Sequence, residues 1–147
     1  MTLLVFHAAV TWFMAGLIWT IQLVHYPLFA EVGEANFTGY QRAHVGRITP
    51  LVAPVMGLEL VTAALLALDP PAAPNATAYY AGLGLVVFAW GVTGAVSVPC
   101  HAGLESRFDA GVHRRLVRSN WLRTSAWTVR AGLVCWFLIA AAGTASS

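Results

Sequence analysis

The sequence predicts an all-α integral membrane protein, a four-helix bundle with an interfacial amphipathic helix after the first span. Three observations carry this expectation. The 147 residues are 59% hydrophobic and only 10% charged, against roughly 25% charged in soluble domains, and the mean hydropathy is +0.70. Four segments are long and apolar enough to cross about 30 Å of hydrocarbon at ~20 residues each. All eight basic residues are arginine, and most gather in two of the three connections between spans. Residues 1–147 read as a single transmembrane domain.

The first span covers about residues 2–24. Its opening, MTLLVFHAAVTWFMAGLIW, lacks a basic flank and its apolar run is long, so it reads as a retained span and not a cleaved signal peptide. In the connection that follows, Phe37, Tyr40, His44 and Arg47 recur at helical spacing, the pattern of an interfacial amphipathic helix. The second span is expected at 48–68, with Pro50 in its first turn and Pro54 bending it. The link LDPPAAPNATAYY is short, proline-rich and nearly uncharged. The third and fourth spans are expected at 78–100 and 124–143. Short links between four antiparallel spans favour a bundle.

Arg42, Arg47, Arg107, Arg114, Arg115 and Arg118 all fall in the first and third connections. The positive-inside rule makes that side cytoplasmic. The chain is therefore expected in the inner (plasma) membrane, both termini on the periplasmic or external side. A net charge of +2 is too small to suggest nucleic acid. Cys100 and Cys135 lack CxxC spacing, so no disulfide framework or zinc ribbon is indicated. The partners expected are the lipid bilayer and a hydrophobic small molecule, with homo-oligomerisation left open. A faint internal repeat also appears. Laying His25 on His101 sets Arg42 against Arg118, His44 against Asn120 and Arg47 against Arg123, as two copies of a helical hairpin would.

Ionisable residues within spans are costly and by default suggest function. His7, Thr11, Met14, Ile18, Gln22 and His25 share one face of the first span, although His7 lies at the opposite surface and reads as structural. Glu59 falls near the middle of the second span and needs a partner, for which Arg130 is the best candidate by depth. Asn120, Arg123, Trp127 and Arg130 form one stripe on the fourth helix. That stripe is either a register-fixing ion pair with its neighbours or the wall of a ligand cavity. His25, His101 and Glu59, with His44 nearby, are candidate ligands for a transition metal such as iron or copper. Alternatively, His25 and His101 could ligate a haem b, with arginines on its propionates, or the site could need no cofactor at all. His113, in the arginine-rich loop, reads as a solvated surface residue.

The combination HYPLF, ITPLVAPVMGLEL, VPCH and NWLRTSAWTVR resembles small four-helix bacterial membrane proteins distantly related to the anthrone-oxygenase-like family. The resemblance covers nearly the whole chain and centres on His25, Tyr26, Pro27, Glu59, His101, Asn120, Arg123, Trp127 and Arg130. It implies a four-span bundle acting on a polyketide-like phenol or quinone. The stretch FHAAVTWFMAGLIW more loosely resembles the opening of the membrane protoporphyrinogen oxidase, through Trp12, Phe13 and Gly16; the rest of the chain departs from it.

The expectation is thus a membrane oxidoreductase or oxygenase-like protein with its site in the cytoplasmic half. In it, Glu59, Asn120, Arg123 and Arg130 handle the substrate, while His25, His101 and Trp127 hold a cofactor. The other readings are a cofactor-free oxygenase or isomerase and a non-enzymatic haem-, quinone- or lipid-binding accessory subunit. A small transporter ranks last.

Overall fold

The computed structural model describes residues 1–145. Among these residues the chain forms four helices and no strand: α1 (Thr2–Phe29), α2 (Glu34–Leu68), α3 (Ala76–Ser106) and α4 (Ala110–Ala145). Each is long and apolar enough to cross a bilayer. The helices run up and down, each packing on its chain neighbours, and α4 closes back against α1. The connection between α2 and α3 lies at the same end as the termini, and the other two connections form an arginine-rich end. Exposed Trp12, Phe13, Leu23, Val61, Phe88 and Ile139 give the bundle an apolar exterior suited to lipid.

Local chemistry sets the ends of the helices. The Asn75 side chain accepts a hydrogen bond from the Ala78 amide at 3.0 Å, capping α3. Asp109 Oδ1 accepts from the Gly111 and Val112 amides at 2.7 and 2.9 Å, capping α4. Those two bonds hold the Asp109 carboxyl below its ordinary range.

The expected interfacial helix is corrected by the structure. Residues 34–68 form one continuous helix, and its first three turns belong to the bundle. Phe37 is fully buried, with its ring against Phe108 (4.7 Å) and Phe29 (6.4 Å). Pro50 therefore lies inside α2 and not in its first turn. Pro50 and Pro54 are both exposed and one turn apart. The bonds they delete fall on the lipid side, and the opposite ladder carries the helix through.

The two halves of the chain share a plan. Each has a span interrupted by one π-helical turn, then a short link, then an uninterrupted α-helix of similar length. The π turns are Ile21–His25 in α1 and Thr93–Ser97 in α3. The Tyr26 amide reaches back to the Ile21 carbonyl, and the Val98 amide to that of Thr93. Proline explains both, because Pro27 and Pro99 cannot donate and their rings displace the carbonyl one turn before. Hydroxyl bonds from Thr20 to Gly16 (3.0 Å) and Thr93 to Ala89 (2.7 Å) loosen the same stretches. Glu34 and Ala110, which open α2 and α4, are separated by the same offset as His25 and His101. The π turns match in a register about one helical turn shorter, so His25 corresponds in shape to Ser97.

Candidate functional site

Two polar clusters lie inside the bundle, stacked along its axis, with Trp127 between them. The cluster nearer the termini centres on Glu59, which is fully buried. Glu59 Oε1 accepts from the Thr11 hydroxyl (3.0 Å) and Arg130 Nε (2.9 Å), and Oε2 accepts from Trp127 Nε1 (2.6 Å). The expected Glu59–Arg130 pair is therefore present. Arg130 also donates through Nη1 to the Gly82 carbonyl and through Nη2 to His7 Nε2 at 3.1 Å. An arginine can only donate, so His7 Nε2 is the acceptor and the proton sits on Nδ1. That proton points to Thr62 Oγ1 at 2.7 Å, and the Thr62 hydroxyl passes on to the Leu58 carbonyl at 2.7 Å. Every member of this network has a partner, and the void beside it is only about 10 Å³. A satisfied and closed network fixes how four helices register.

The second cluster occupies the arginine-rich half. Asn120 donates to Gln22 Oε1 (2.9 Å) and accepts from Arg123 Nη1 (3.0 Å). The Arg123 guanidinium lies over the Trp127 ring, 5.3 Å from its centroid. The π turn in α1 brings Tyr26 inward, where its hydroxyl meets His101 Nε2 at 3.1 Å. Gln41 Nε2 donates to His101 Nδ1 at 2.7 Å. Both ring nitrogens of His101 are thus engaged. Three imidazoles then form a row: His101 and His44 are 5.7 Å apart between ring centroids, and His44 and His25 are 5.8 Å apart.

This second cluster forms one wall of a cavity of about 230 Å³ between α2 and α3. Tyr26, His44, Ser97, His101 and Arg123 supply polar groups, and Ile21, Ile48, Val52, Met56 and Trp90 supply the apolar walls. Thr49, Ala53 and Val98 line it and are exposed, so it opens sideways toward lipid. Among the described residues, three buried side-chain polar atoms lack a hydrogen bond: Gln41 Oε1, Ser97 Oγ and Arg123 Nε. Ser97 and Arg123 line this cavity, and Gln41 supports His101. Buried polar atoms are rarely left unmatched.

The residues expected to form one site therefore divide. Arg123, His101 and Tyr26 reach the cavity, and Asn120 and Trp127 hold Arg123 in place. Glu59 and Arg130 do not line it. His25 sits in a neighbouring groove with Tyr40, His44, Arg47 and Leu51. The Glu59, His25 and His101 ligand set is not assembled, because Glu59 belongs to the other cluster and the His44 ring stands between the two histidines. Among the described residues no group of three or more His, Cys, Asp or Glu side chains is placed to hold a metal. The same interposed ring keeps His25 and His101 from facing each other across a haem.

Two readings of single histidines change. His113 is buried, not solvated, and donates from Nε2 to the Tyr26 carbonyl at 2.8 Å. It covers a carbonyl near the open end of α1 and packs between Phe29 and Phe108. His7 is structural as expected, but as a member of the Glu59 network. Gln22 lies on the polar face of the first span that the sequence picked out, whereas Gln41 and Ser97 did not stand out, since neutral polar residues carry little signal there. The helical spacing of Gln41 with Phe37 and His44 was the available clue. Comparison with protein-family models, curated proteins and solved structures finds no match.

Proposed function

We propose that the protein binds a small lipophilic ring molecule bearing a hydroxyl or carbonyl oxygen, of the phenol, enol or quinone class, and acts on it at that oxygen. The observation that carries this reading is where the unmatched polar atoms fall. Ser97 Oγ and Arg123 Nε belong to the cavity wall, and Gln41 Oε1 belongs to its immediate support. The Glu59 network, equally buried, leaves none.

Size and access point the same way. An apolar cavity of about 150 Å³ takes up benzene, so about 230 Å³ suits one substituted ring or two fused rings. The lateral opening lets such a molecule arrive from the bilayer. At the polar wall, Arg123 and the Tyr26 hydroxyl are the donors for an oxygen on the ligand. Donors aimed at a developing oxyanion in a dry site are each worth about 3–4 kcal/mol of barrier. The chemistry these residues support unaided is removal of a phenol or enol proton and stabilisation of the anion. That step activates such a molecule toward dioxygen, and the anthrone-oxygenase-like resemblance falls in the same substrate class. With the arginine-rich end cytoplasmic, the site lies in the cytoplasmic half of the membrane.

The test is direct binding. Protein in lipid nanodiscs is titrated with 1-naphthol and 1,4-naphthoquinone, read by tryptophan fluorescence and thermal shift. Saturable binding is expected, lost when Val52→Trp fills the cavity and weakened by Arg123→Gln. Undiminished binding in Val52→Trp would place the ligand elsewhere and overturn the reading.

A further inference from the structure

His44 is the one imidazole on the cavity wall whose ring nitrogens make no hydrogen bond among the described residues. Its contacts are ring contacts only, with Phe29 (4.9 Å), His25 and His101. By contrast, His101 is engaged on both sides, by Tyr26 and Gln41, and so positions the Tyr26 hydroxyl. His44 also lies on both sides of a partition. It lines the inner cavity, and it lines the separate groove at the arginine-rich end that contains His25, Tyr40 and Arg47. A single side chain therefore joins the apolar cavity to the groove at the arginine-rich end.

We infer that His44 takes the proton from the oxygen of the bound ligand and that His25 passes it out through the groove. This rests on the reading of the cavity as a ligand site. The ligand O–H bond breaks and a His44 N–H bond forms, leaving an anionic oxygen beside Arg123 and Tyr26 and an imidazolium at His44. The charged and titratable groups around His44 favour onward transfer. They are His25 on α1, Tyr40 and Arg47 on its own helix and His101 on α3, with Tyr26 and Arg123 also on the cavity wall. Among these, His25 is the imidazole that stands next to His44 on the groove side, so it is the group to which His44 can hand the proton. His25 is half-buried in the groove, at a separation that one bridging water spans. The anion stays behind, because the arginine that stabilises it cannot give up its own proton.

The experiment uses 4-nitrophenol, a single ring whose phenol and phenolate forms absorb at different wavelengths. It is run at a pH where the free probe is mainly neutral. Wild type is expected to bind it, by tryptophan quenching, with a raised phenolate fraction in the bound probe. His44→Phe, which keeps an aromatic ring for stacking, and His44→Gln are both expected to bind the probe. Each should form phenolate about tenfold or more slowly than wild type in stopped flow, while leaving the final phenolate-to-phenol ratio unchanged. His25→Phe should keep that ratio but slow proton release to an indicator dye by about tenfold in stopped flow. Bound probe that stays neutral in wild type, or phenolate formation at the wild-type rate in both His44 variants, overturns the role of His44. Unchanged release in His25→Phe overturns the exit. If the wild type does not bind the probe at all, the cavity reading fails and takes this inference with it.

Discussion

Replacing Glu59 by glutamine exchanges one carboxylate oxygen for an NH₂ group and should destabilise the bundle severely. The carboxylate accepts from three donors, two at Oε1 and one at Oε2. A glutamine has one carbonyl oxygen, so in either orientation its NH₂ faces a donor, Trp127 Nε1–H or Arg130 Nε–H. One buried donor is then unmatched, at about 1–3 kcal/mol, and Arg130 loses its counter-ion, where breaking a buried pair costs about 3–5 kcal/mol. Side-chain hydrogen bonds in membranes average only about 0.6 kcal/mol, but that figure describes neutral groups that find other partners. Arg130 is 1% exposed and has no other carboxylate partner among the described residues. The two terms overlap, so about 3 kcal/mol is expected for Glu59→Gln. The double variant Glu59→Leu with Arg130→Met removes both charges together and should lie near wild type. His7 Nε2 loses its donor and Trp127 Nε1 its acceptor there, which offsets part of the gain. Reversible unfolding in mixed micelles of rising SDS content, followed by tryptophan fluorescence and circular dichroism, measures Glu59→Gln and the cycle of wild type, Glu59→Leu, Arg130→Met and the double variant. A Glu59→Gln loss below about 1 kcal/mol, or additive single losses in the double variant, would refute the network as a register-fixing element.

The remaining predictions concern the site, the helix cap and the topology. The double variant should bind 1-naphthol as wild type does, by the same fluorescence titration, because neither residue lines the cavity. Elemental analysis and a visible spectrum of purified protein, set beside its turnover after exhaustive chelation, will separate cofactor-free chemistry from a metal- or haem-dependent reaction. The cofactor-free reading expects retained turnover. Asp109→Ala should lower the melting temperature at neutral pH by removing the cap on α4. Because the folded carboxyl titrates below its ordinary 3.8, its stabilisation is complete above that value and disappears as pH falls through the lower folded one. Wild type and variant melting curves should therefore converge only in strong acid. In a background lacking Cys100 and Cys135, a membrane-impermeant maleimide should label Ala72→Cys in intact cells and leave Ser106→Cys unlabelled until the cells are opened. The reverse pattern would invert the bundle.

The features legible in the sequence were those that a free-energy penalty makes loud. A span needs ~20 apolar residues, so four of them were evident, and a carboxylate at mid-depth needs a cation, so Glu59 pointed to Arg130. What the sequence concealed is rotational. Depth placed Glu59, His25 and His101 within one bundle, but depth does not say which way each helix is turned, and a π turn resets that angle within a span. The turn at Ile21–His25 brings Tyr26 inward and leaves His25 at the edge. The start of α2 was hidden for a different reason. Phe37, Tyr40, His44 and Arg47 made the stretch look interfacial, yet Phe37 and Gln41 are buried by the bundle. His113 was masked by its neighbours Arg114 and Arg115, which are exposed while it points inward.

The stripe Asn120, Arg123, Trp127 and Arg130 shows why one helix face can carry two opposite outcomes. Both arginines are buried on that face, and both touch Trp127 or its partners. Arg130 meets a carboxylate, a carbonyl and an imidazole, so its charge and its donors are consumed by the fold. Arg123 meets an amide oxygen, a π face and the nearby Tyr26 hydroxyl, none of which is a carboxylate. A guanidinium in that position keeps an electrostatic deficit that only an anion can fill. Trp127 separates the two, with its N–H committed to Glu59 and its ring to Arg123. It blocks Glu59 from neutralising Arg123, and so keeps the second arginine available to whatever enters between α2 and α3. On this argument Trp127→Phe, which frees one carboxylate oxygen while keeping an aromatic face, should weaken 1-naphthol binding more than it lowers thermal stability. Variants that lose stability and keep full affinity would show that the two arginines never compete for Glu59.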